Sequence, residues 1–198
     1  MAVTAPPPPR PGKPYRAVVI GASAGGLKAL SAILPHLPAD YPLPVMVVIH
    51  VPPHRRSLIA PLFEDKCTLT VEEAEDKTPL DRGGIFFAPP DYHLLVERSF
   101  ELSLSADEPV LFSRPSIDVL FESASDAYGD GLIGVILTGA NNDGAAGLKA
   151  VMGYGGKGLI QTPATAFARA MPEAAIDACP SALILDLDDI LLELKNAA

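Results

Sequence analysis

Residues 17–30 read AVVIGASAGGLKAL, and this stretch decides the fold because an apolar run leads through a glycine-rich turn into a helical pattern. The turn fits two different motifs. A dinucleotide-binding loop needs glycine at its first, third and sixth positions, and Ser23 occupies the third. The pattern G-x-S-x-G, matched by Gly21, Ser23 and Gly25, presents a serine hydroxyl above the carboxyl end of a sheet. The turn alone therefore predicts either a phosphate-binding loop or a nucleophilic serine.

The same alternation of strand and helix patterns continues along the chain. Apolar or β-branched runs predict strands, and apolar residues at helical spacing predict helices. The predicted strands are 17–20, 45–50, 85–88, 132–138, 158–161 and 182–185, and the predicted helices are 25–34, 57–66, 116–127, 144–154 and 187–195. Residues 93–105, HLLVERSFELSLS, predict an antiparallel hairpin. We therefore expect an α/β fold, a doubly wound and mostly parallel sheet with helices on both faces and a small antiparallel hairpin beside it.

Composition limits the class of protein. The 198 residues predict one folded domain over residues 15–198, and residues 1–14, MAVTAPPPPRPGKP, predict a disordered proline-rich tail or linker remnant. A net charge of −9 argues against a nucleic-acid-binding surface. The absence of a long apolar stretch and of a signal sequence predicts a soluble cytoplasmic protein without membrane insertion. Cys67 and Cys179 lack the spacing of a metal site, which favours small buried thiols.

Three polar residues follow predicted strands at their carboxyl ends, where open parallel sheets bind their ligands. Ser23 follows the first strand, His50 ends the second in VMVVIH, and Asp143 lies in LTGANNDGAAG after the strand at 132–138. A nucleotide-binding fold would usually place an acidic residue where His50 stands. Serine, histidine and aspartate on one edge are the components of an acyl-transfer site. The order Ser, His, Asp differs from that of the α/β-hydrolases, but geometry rather than order defines a triad.

Each of these residues also has a purely structural interpretation. Ser23 could cap a helix, His50 could be a hydrogen-bonded core histidine, and Asp143 could cap the helix predicted from Gly144. Their combination favours catalysis. An acyl-transfer site also needs backbone N–H donors for the oxyanion, and the N–H of Ala24 together with one from the loop at 139–141 could supply them.

A metal site is the main alternative for the histidines. His50 and His54 are four residues apart, and Asp91 and His93 follow later in the chain. The intervening VPP cannot lie inside a helix, so the two imidazoles cannot share a helical face. We therefore expect no metal and no other cofactor.

The segment RPSIDVLF at 114–121 predicts the start of a helix. Ser116 is the expected N-cap, and Asp118 in the first turn would meet the positive end of the helix dipole. Arg114, just before the cap, is the residue of this segment best suited to contact an anionic or amide-bearing substrate. A surface arginine without a functional role is the alternative.

The motifs GASAGG, VIHVPPH, RPSIDVLF, GVILTGANNDGAAGL and AMPEAAI occur in this order from about Tyr15 to the C-terminus. Together they resemble the catalytic domain of the chemotaxis receptor methylesterases, the CheB family. The resemblance implies a cytoplasmic serine hydrolase that removes methyl groups from glutamate γ-methyl esters on chemoreceptor helices, releases methanol and often deamidates glutamines. It places the nucleophile, base and orienting acid on Ser23, His50 and Asp143, and the oxyanion donors on the backbone of Ala24 and Ala140.

The chain departs from the family pattern at several positions. Ala24 and Ala140 stand where the family often has threonine and methionine, and Glu173 follows Met-Pro where arginine is common. The proline-rich tail stands where two-domain members carry a phosphoacceptor receiver domain. We therefore expect a stand-alone esterase or one part of a larger protein, with regulation by a partner in trans as an open alternative. Two other hypotheses remain: a binding module without catalysis, and a nucleotide-binding regulator.

Overall fold

A computed structural model describes residues 15–50, 57–80 and 83–198. Its main feature is a seven-stranded sheet in the order β3-β4-β2-β1-β7-β8-β9, in which all six neighbouring pairs are parallel. The strands are β1 (Ala17–Ala22), β2 (Pro44–Ile49), β3 (Val71–Glu73), β4 (Gly84–Phe87), β7 (Leu132–Ile136), β8 (Lys157–Gln161) and β9 (Leu183–Leu185). Every residue of β1, β2 and β7 is buried, because helices cover both faces of a parallel sheet.

Within the described residues, six α-helices form the two outer layers. They are α1 (Gly26–Ile33), α2 (Ile59–Glu64), α3 (Ile117–Tyr128), α4 (Ala145–Gly153), α5 (Ala170–Ala178) and α6 (Leu187–Asn196). Alternate residues of β1 point to opposite faces: Val18 and Ile20 pack with α1, α2 and α6, whereas Ala17 and Val19 pack with α3, α4 and α5. The predicted doubly wound architecture is thereby confirmed.

The strands β5 (His93–Val96) and β6 (Leu102–Ser105) form a separate antiparallel hairpin, as predicted. Leu94, Val96 and Leu102 are buried in the same hydrophobic cluster as the inner face of α3. Burying such a side chain stabilises the fold by roughly 1.5–3 kcal/mol. The hairpin therefore adds its own apolar face to the helical layer rather than extending the main sheet.

The strand order determines where a site can form. The chain runs from β1 to its neighbour β2, continues to the edge strand β3, forms β4 between β3 and β2, and later crosses to β7 on the other side of β1. The direction of winding thus reverses between β1 and β7. At such a reversal the loops that follow the two neighbouring strands diverge, and a crevice opens at the carboxyl edge of the sheet.

Among the strands and α-helices of the described residues, the sequence analysis does not predict the edge strand β3 or the helix α5. The predicted tail at 1–14 lies outside the described residues. Both cysteines are free thiols, Cys179 buried and Cys67 half-buried, so Cys67 is less enclosed than predicted. Burial raises the pKa of both thiols, that of Cys179 to about 11. In the described part of the chain no helix is long and apolar enough to cross a membrane.

Candidate active site

Backbone hydrogen bonds continue the parallel pairing of β1 beyond its last residue. The N–H of Ser23 donates to the carbonyl of Thr138 at 2.9 Å, on the side of β7. The N–H of His50 donates to the carbonyl of Ala22 at 3.1 Å, on the side of β2. Because parallel strands end at the same edge, these bonds place Ser23 and His50 on neighbouring strand ends beside the crevice.

The His50 imidazole is hydrogen-bonded to the Asp143 carboxylate. Its Nε2 lies 2.8 Å from Asp143 Oδ2, and the two side chains are 13% and 0% exposed. A proton on Nε2 is donated to the carboxylate, so Nδ1 carries the lone pair of the neutral ring. The side-chain nitrogen of Asn141 lies 3.4 Å from Nδ1. The structure therefore brings together the predicted His50 and Asp143, and it leaves Nδ1 as the basic atom.

The Asp143 carboxylate is enclosed by donors from the start of α3. The Ser116 hydroxyl donates to Oδ1 at 2.9 Å, the Asp118 N–H to Oδ1 at 3.0 Å, and the Ile117 N–H to Oδ2 at 2.7 Å. Burial acts to raise the pKa of Asp143, but hydrogen bonds from His50, Asp118 and Ile117 outweigh it and hold that pKa below its ordinary value. An ionised carboxylate is thus stabilised at a helix N-terminus.

This arrangement corrects the roles predicted for Ser116 and Asp118. Ser116 occupies the N-cap position of α3, but its hydroxyl bonds Asp143 instead of its own helix. Asp118 lies in the first turn as predicted, yet its Oδ1 accepts from the N–H groups of Gly144 at 2.9 Å and Gly147 at 2.7 Å, which belong to the start of α4. A sequence pattern relates these residues only to their own helix, whereas their hydrogen-bond partners lie in the loop before α4 and in its first turn.

Burial raises the pKa of Asp118 to about 6. The nearby charge of Asp143 acts in the same direction, while the hydrogen bonds from Gly147 and Gly144 partly oppose the shift. Asp143 itself does not cap α4, since the N-cap of that helix is Gly144 with φ of 97°. Only a residue without a side chain adopts this backbone conformation without strain, and a Cβ there would lie 2.7 Å from Ile117 Cγ2.

Ser23 is not a helix cap, because the N-cap of α1 is Gly25 and no side chain caps that helix. Its hydroxyl, on a half-buried residue, has no hydrogen-bond partner among residues 15–50, 57–80 and 83–198. A bond from Ser23 to His50 is therefore not formed in this structure. The N–H groups of Ala24 and Ala140 likewise donate no hydrogen bond within the described residues. In the described part of the chain, the Ser23 hydroxyl and the N–H groups of Ala24 and Ala140 thus have no hydrogen-bond partner.

The loop after β8 is attached to the serine turn by Thr138, which sequence reasoning did not single out. The Thr138 hydroxyl donates to the Ala24 carbonyl at 2.8 Å and accepts from the Ala168 N–H at 2.9 Å. The Thr138 N–H is in turn held by the buried side chain of Gln161 at 2.9 Å. These bonds fix the turn that carries Ser23.

Arg114 contacts the loop that follows the hairpin. Its guanidinium donates to the carbonyl oxygens of Ala106 at 2.8 Å and Asp107 at 3.0 Å. The buried Nε of Arg114 has no partner within the part of the chain that the structure describes. Arg114 thus braces the segment before α3, and its predicted contact with a substrate stays a prediction.

The residues considered for a metal site are used otherwise or lie outside the described ranges. His93 is buried, with Nε2 bonded to the Glu108 carbonyl and Nδ1 accepting from the Ser116 N–H. His54 is not among the described residues. Within those residues no three histidine, cysteine or acidic side chains are grouped to hold a metal ion.

Known proteins resemble this chain over nearly its whole described length. The family model described as CheB methylesterase matches residues 18–194. A protein of Leptospira interrogans is 47% identical over 176 residues, which are 89% of this chain and 91% of that protein. A protein-glutamate methylesterase/protein-glutamine glutaminase of Archaeoglobus fulgidus is 39% identical over 163 residues, 81% of this chain but 47% of the relative. This chain thus spans about half the length of the latter protein.

A solved structure has the same fold. The crystal structure of the Thermotoga maritima CheB methylesterase catalytic domain matches with a TM-score of 0.88 and 32% sequence identity. The match covers 93% of this chain and 99% of that domain. The parallel sheet, its flanking helices and the small hairpin therefore form a known catalytic-domain architecture. This chain belongs to the CheB methylesterase family.

Proposed function

We propose that this chain hydrolyses γ-methyl esters of glutamate side chains on the cytoplasmic helices of chemoreceptors, with Ser23 as nucleophile, His50 as base and Asp143 as the residue that orients His50. The observation that carries the proposal is the 2.8 Å bond between His50 Nε2 and a fully buried Asp143 carboxylate, at the strand end beside Ser23. Relatives named protein-glutamate methylesterase/protein-glutamine glutaminase support the substrate class.

In the first half-reaction, His50 Nδ1 takes the proton of the Ser23 hydroxyl while Oγ attacks the ester carbonyl carbon. The resulting oxyanion accepts hydrogen bonds from the Ala24 and Ala140 N–H groups, and losing one such donor costs roughly 3–4 kcal/mol in comparable enzymes. Asp143 stabilises the positively charged imidazolium that forms. Collapse of the intermediate expels methoxide, which takes the proton from His50 and leaves as methanol.

In the second half-reaction, water replaces Ser23 as the nucleophile. His50 Nδ1 removes a proton from the water as it attacks the glutamyl-serine ester, and the imidazolium then returns this proton to Ser23 Oγ. The products are the free serine and a glutamic acid side chain, which releases its remaining proton to water and becomes a carboxylate. A glutamine side chain would follow the same route with ammonia as the first leaving group, in keeping with the second activity in the relatives' names.

Because no hydrogen bond joins the Ser23 hydroxyl and the His50 imidazole in this structure, the proposed cycle requires one of the two side chains to move. A short serine side chain needs only rotation about its Cα–Cβ bond to change the direction of its hydroxyl. Hydrogen bonds of catalytic groups commonly tighten when substrate binds. We expect substrate binding to bring Oγ and Nδ1 within hydrogen-bond distance.

The proposal is tested by labelling with a fluorophosphonate probe, read by intact and peptide mass, and by methanol release from chemoreceptor-containing membranes carrying labelled methyl groups. We expect one adduct on Ser23 and methanol release in the unsubstituted protein, and neither in Ser23→Ala or His50→Ala. Ser99→Ala, which changes an exposed serine of the hairpin turn, is the matched control and should behave like the unsubstituted protein. Normal turnover by Ser23→Ala would contradict the proposal.

A further inference from the structure

The most exposed large apolar side chains of the described residues lie at one edge of the molecule. They are Leu58, Phe112 and Phe167, with exposed fractions of 69%, 103% and 82%. Leu58 precedes α2, Phe112 precedes α3, and Phe167 lies between β8 and α5. Each segment therefore lies at the carboxyl edge of the sheet, where Ser23, His50 and Asp143 lie. Several large exposed apolar side chains at the same edge of a sheet are typical of an interaction surface.

Phe167 lies directly beside the turn that carries Ser23. A Cβ placed on Gly25 would come within 2.5 Å of Phe167 Cβ, so the phenylalanine packs against the glycine backbone two residues after Ser23. The bonds of Thr138 to Ala24 and Ala168 hold the neighbouring backbone on both sides of this contact. The base of the Phe167 side chain is thus packed against the Ser23 turn, while 82% of the residue is exposed.

Phe112 is displayed on a two-residue turn. Val110 and Ser113 exchange backbone hydrogen bonds of 3.1 and 2.8 Å, and the two residues between them, Leu111 and Phe112, have φ of 48° and 63°. Two consecutive positive φ values are typical of a type I′ turn, which asparagine and glycine adopt most readily. Leu111 and Phe112 are poor choices for this backbone, and the fold does not bury the Phe112 ring. Neither turn geometry nor core packing accounts for this residue.

The turn is also linked to the candidate active site. Phe112 lies four residues before Ser116, whose hydroxyl bonds the Asp143 carboxylate. Arg114 braces the intervening backbone through the Ala106 and Asp107 carbonyls. Phe112 therefore belongs to the segment 110–116, which ends at the hydrogen bond of Ser116 to Asp143. Phe167 likewise belongs to a segment that Thr138 connects to the Ser23 turn.

We propose that Phe112 and Phe167, the rim aromatics, dock the helix that carries the substrate glutamate by contacting apolar side chains one turn before and after it. This inference rests on the proposed function and names what that site recognises. A glutamate side chain is short, so its ester can reach Ser23 only if the helix backbone lies against the rim. Residues three and four positions away then lie about 5–6 Å from the glutamate Cβ, on the same face. Large aromatic rings at the rim suit apolar neighbours.

The test uses a synthetic helix of about 20 residues, long enough to retain helical structure, with a central glutamate γ-methyl ester and leucines at i±3 and i±4. A second peptide has glutamine at those four positions, and N-acetylglutamate γ-methyl ester amide is the small substrate. In the double variant Phe112→Ser/Phe167→Ser we expect KM for the leucine helix to rise at least about tenfold. Its kcat, and all constants for the small ester, should not change. The glutamine helix should bind weakly to both proteins.

Leu192→Ser is the matched control, because Leu192 is an exposed leucine of α6 on the other side of the sheet. It should leave every constant unchanged. Binding of the leucine helix is also measured by fluorescence anisotropy in a Ser23→Ala background, where no turnover occurs. An unchanged Kd after removal of the rim aromatics would overturn the inference, as would an equal loss of activity on the small ester. If the helix binds through the rim aromatics but no ester is hydrolysed, the docking proposal stands and the proposed function fails.

Discussion

Asp143 accepts hydrogen bonds from the start of α3, the helix that contains Asp118, and Asp118 accepts hydrogen bonds from the start of α4, the helix that follows Asp143. Asp143, just before α4, accepts the N–H groups of Ile117 and Asp118 at the start of α3, at 2.7 and 3.0 Å. Asp118, in α3, accepts the N–H groups of Gly144 and Gly147 at the start of α4, at 2.9 and 2.7 Å. This exchange pins the loop that holds Asp143 against His50. Asp118 is therefore a positioning residue, which acts on the site through Asp143.

Replacing Asp118 tests this exchange. Asp118→Ala leaves two buried N–H groups without an acceptor, and since each costs about 1–3 kcal/mol, we expect a loss of about 2–6 kcal/mol in unfolding free energy. Asp118→Asn keeps one oxygen acceptor and should lose less. In both variants kcat for methanol release should fall more than KM changes. Urea denaturation and steady-state kinetics measure the two effects, and unchanged stability in Asp118→Ala would contradict the assigned hydrogen bonds.

The pH dependence of stability provides a separate test of Asp118. Burial raises the pKa of its carboxyl to about 6 in the folded protein, above the usual 3.8. Protonation therefore favours the folded state, so this contribution is fully present below the unfolded pKa and is lost as pH rises through the folded pKa. Relative to Asp118→Asn, the unsubstituted protein should lose stability as the pH rises from about 4 to about 7. A flat difference for Asp118→Asn would contradict the raised pKa.

We expect Asp143→Asn to impair both turnover and folding. The amide no longer stabilises the His50 imidazolium or selects the correct tautomer, and the comparable change in a serine protease lowers kcat about 10⁴-fold. Each carboxylate oxygen of Asp143 accepts two hydrogen bonds. Whichever oxygen the NH₂ group of asparagine replaces, it therefore faces two hydrogen-bond donors. We expect this conflict to cost about 1–3 kcal/mol of unfolding free energy.

Ser116→Ala is the control for Asp143→Asn, because it removes one of the four donors to the carboxylate and leaves the charge. It should retain most of the turnover and lose less stability. Methanol release at the unsubstituted rate in Asp143→Asn would remove Asp143 from the mechanism.

The alternation of strands and helices, and the positions of Ser23, His50 and Asp143 along the chain, could be predicted because they follow local rules. A buried parallel strand is an apolar run, and parallel strands end at one edge. The edge strand β3 was missed because it has three residues and only Val71 is buried. The helix α5 was missed because Pro172 interrupts its pattern, although a proline in the first turn is tolerated.

The partners of the site residues could not be predicted in the same way. The bonds of Asp118 to Gly144 and Gly147 join two helices that are distant in the sequence. No periodicity or spacing in the sequence indicates these hydrogen bonds, because an aspartate in the first turn of α3 and a glycine at the start of α4 are each already explained by their own helix. The same holds for Thr138, whose hydroxyl joins the Ser23 turn to the loop before α5. Side-chain contacts between residues this far apart in the sequence can be identified only from the three-dimensional structure.

Asn141→Ala should increase the reactivity of Ser23. The Asn141 amide lies 3.4 Å from His50 Nδ1, the nitrogen that must accept the serine proton in the proposed mechanism. A bond this long is worth roughly 0.5–1 kcal/mol, which corresponds to about a two- to fivefold increase in rate when it is removed. The rate of fluorophosphonate labelling measures the effect. Asn142→Ala, at the exposed neighbouring residue, is the control. Slower labelling of Asn141→Ala would show that the amide instead holds the ring in its reactive orientation.

The protein should become more stable when the turn residues Leu111 and Phe112 are replaced by residues that readily adopt positive φ. Leu111→Asn/Phe112→Gly places a type I′ pair where both φ values are positive, and a left-handed conformation costs other residues roughly 1–2 kcal/mol each. Because glycine loses more entropy on folding, we expect a net gain of about 1 kcal/mol in unfolding free energy. The same variant loses the Phe112 ring, so its affinity for the leucine helix should fall.

The control for this variant is Leu111→Ala/Phe112→Ala, which also removes the apolar side chains but keeps two residues that are strained at positive φ. It should lose helix affinity to the same extent without gaining stability. The difference in unfolding free energy between the two variants measures the backbone strain at positions 111 and 112. The loss of helix affinity that they share measures the contribution of the apolar side chains to docking. Equal stabilities of the two variants would show that the turn is not strained, and normal helix affinity in both would exclude Phe112 from docking.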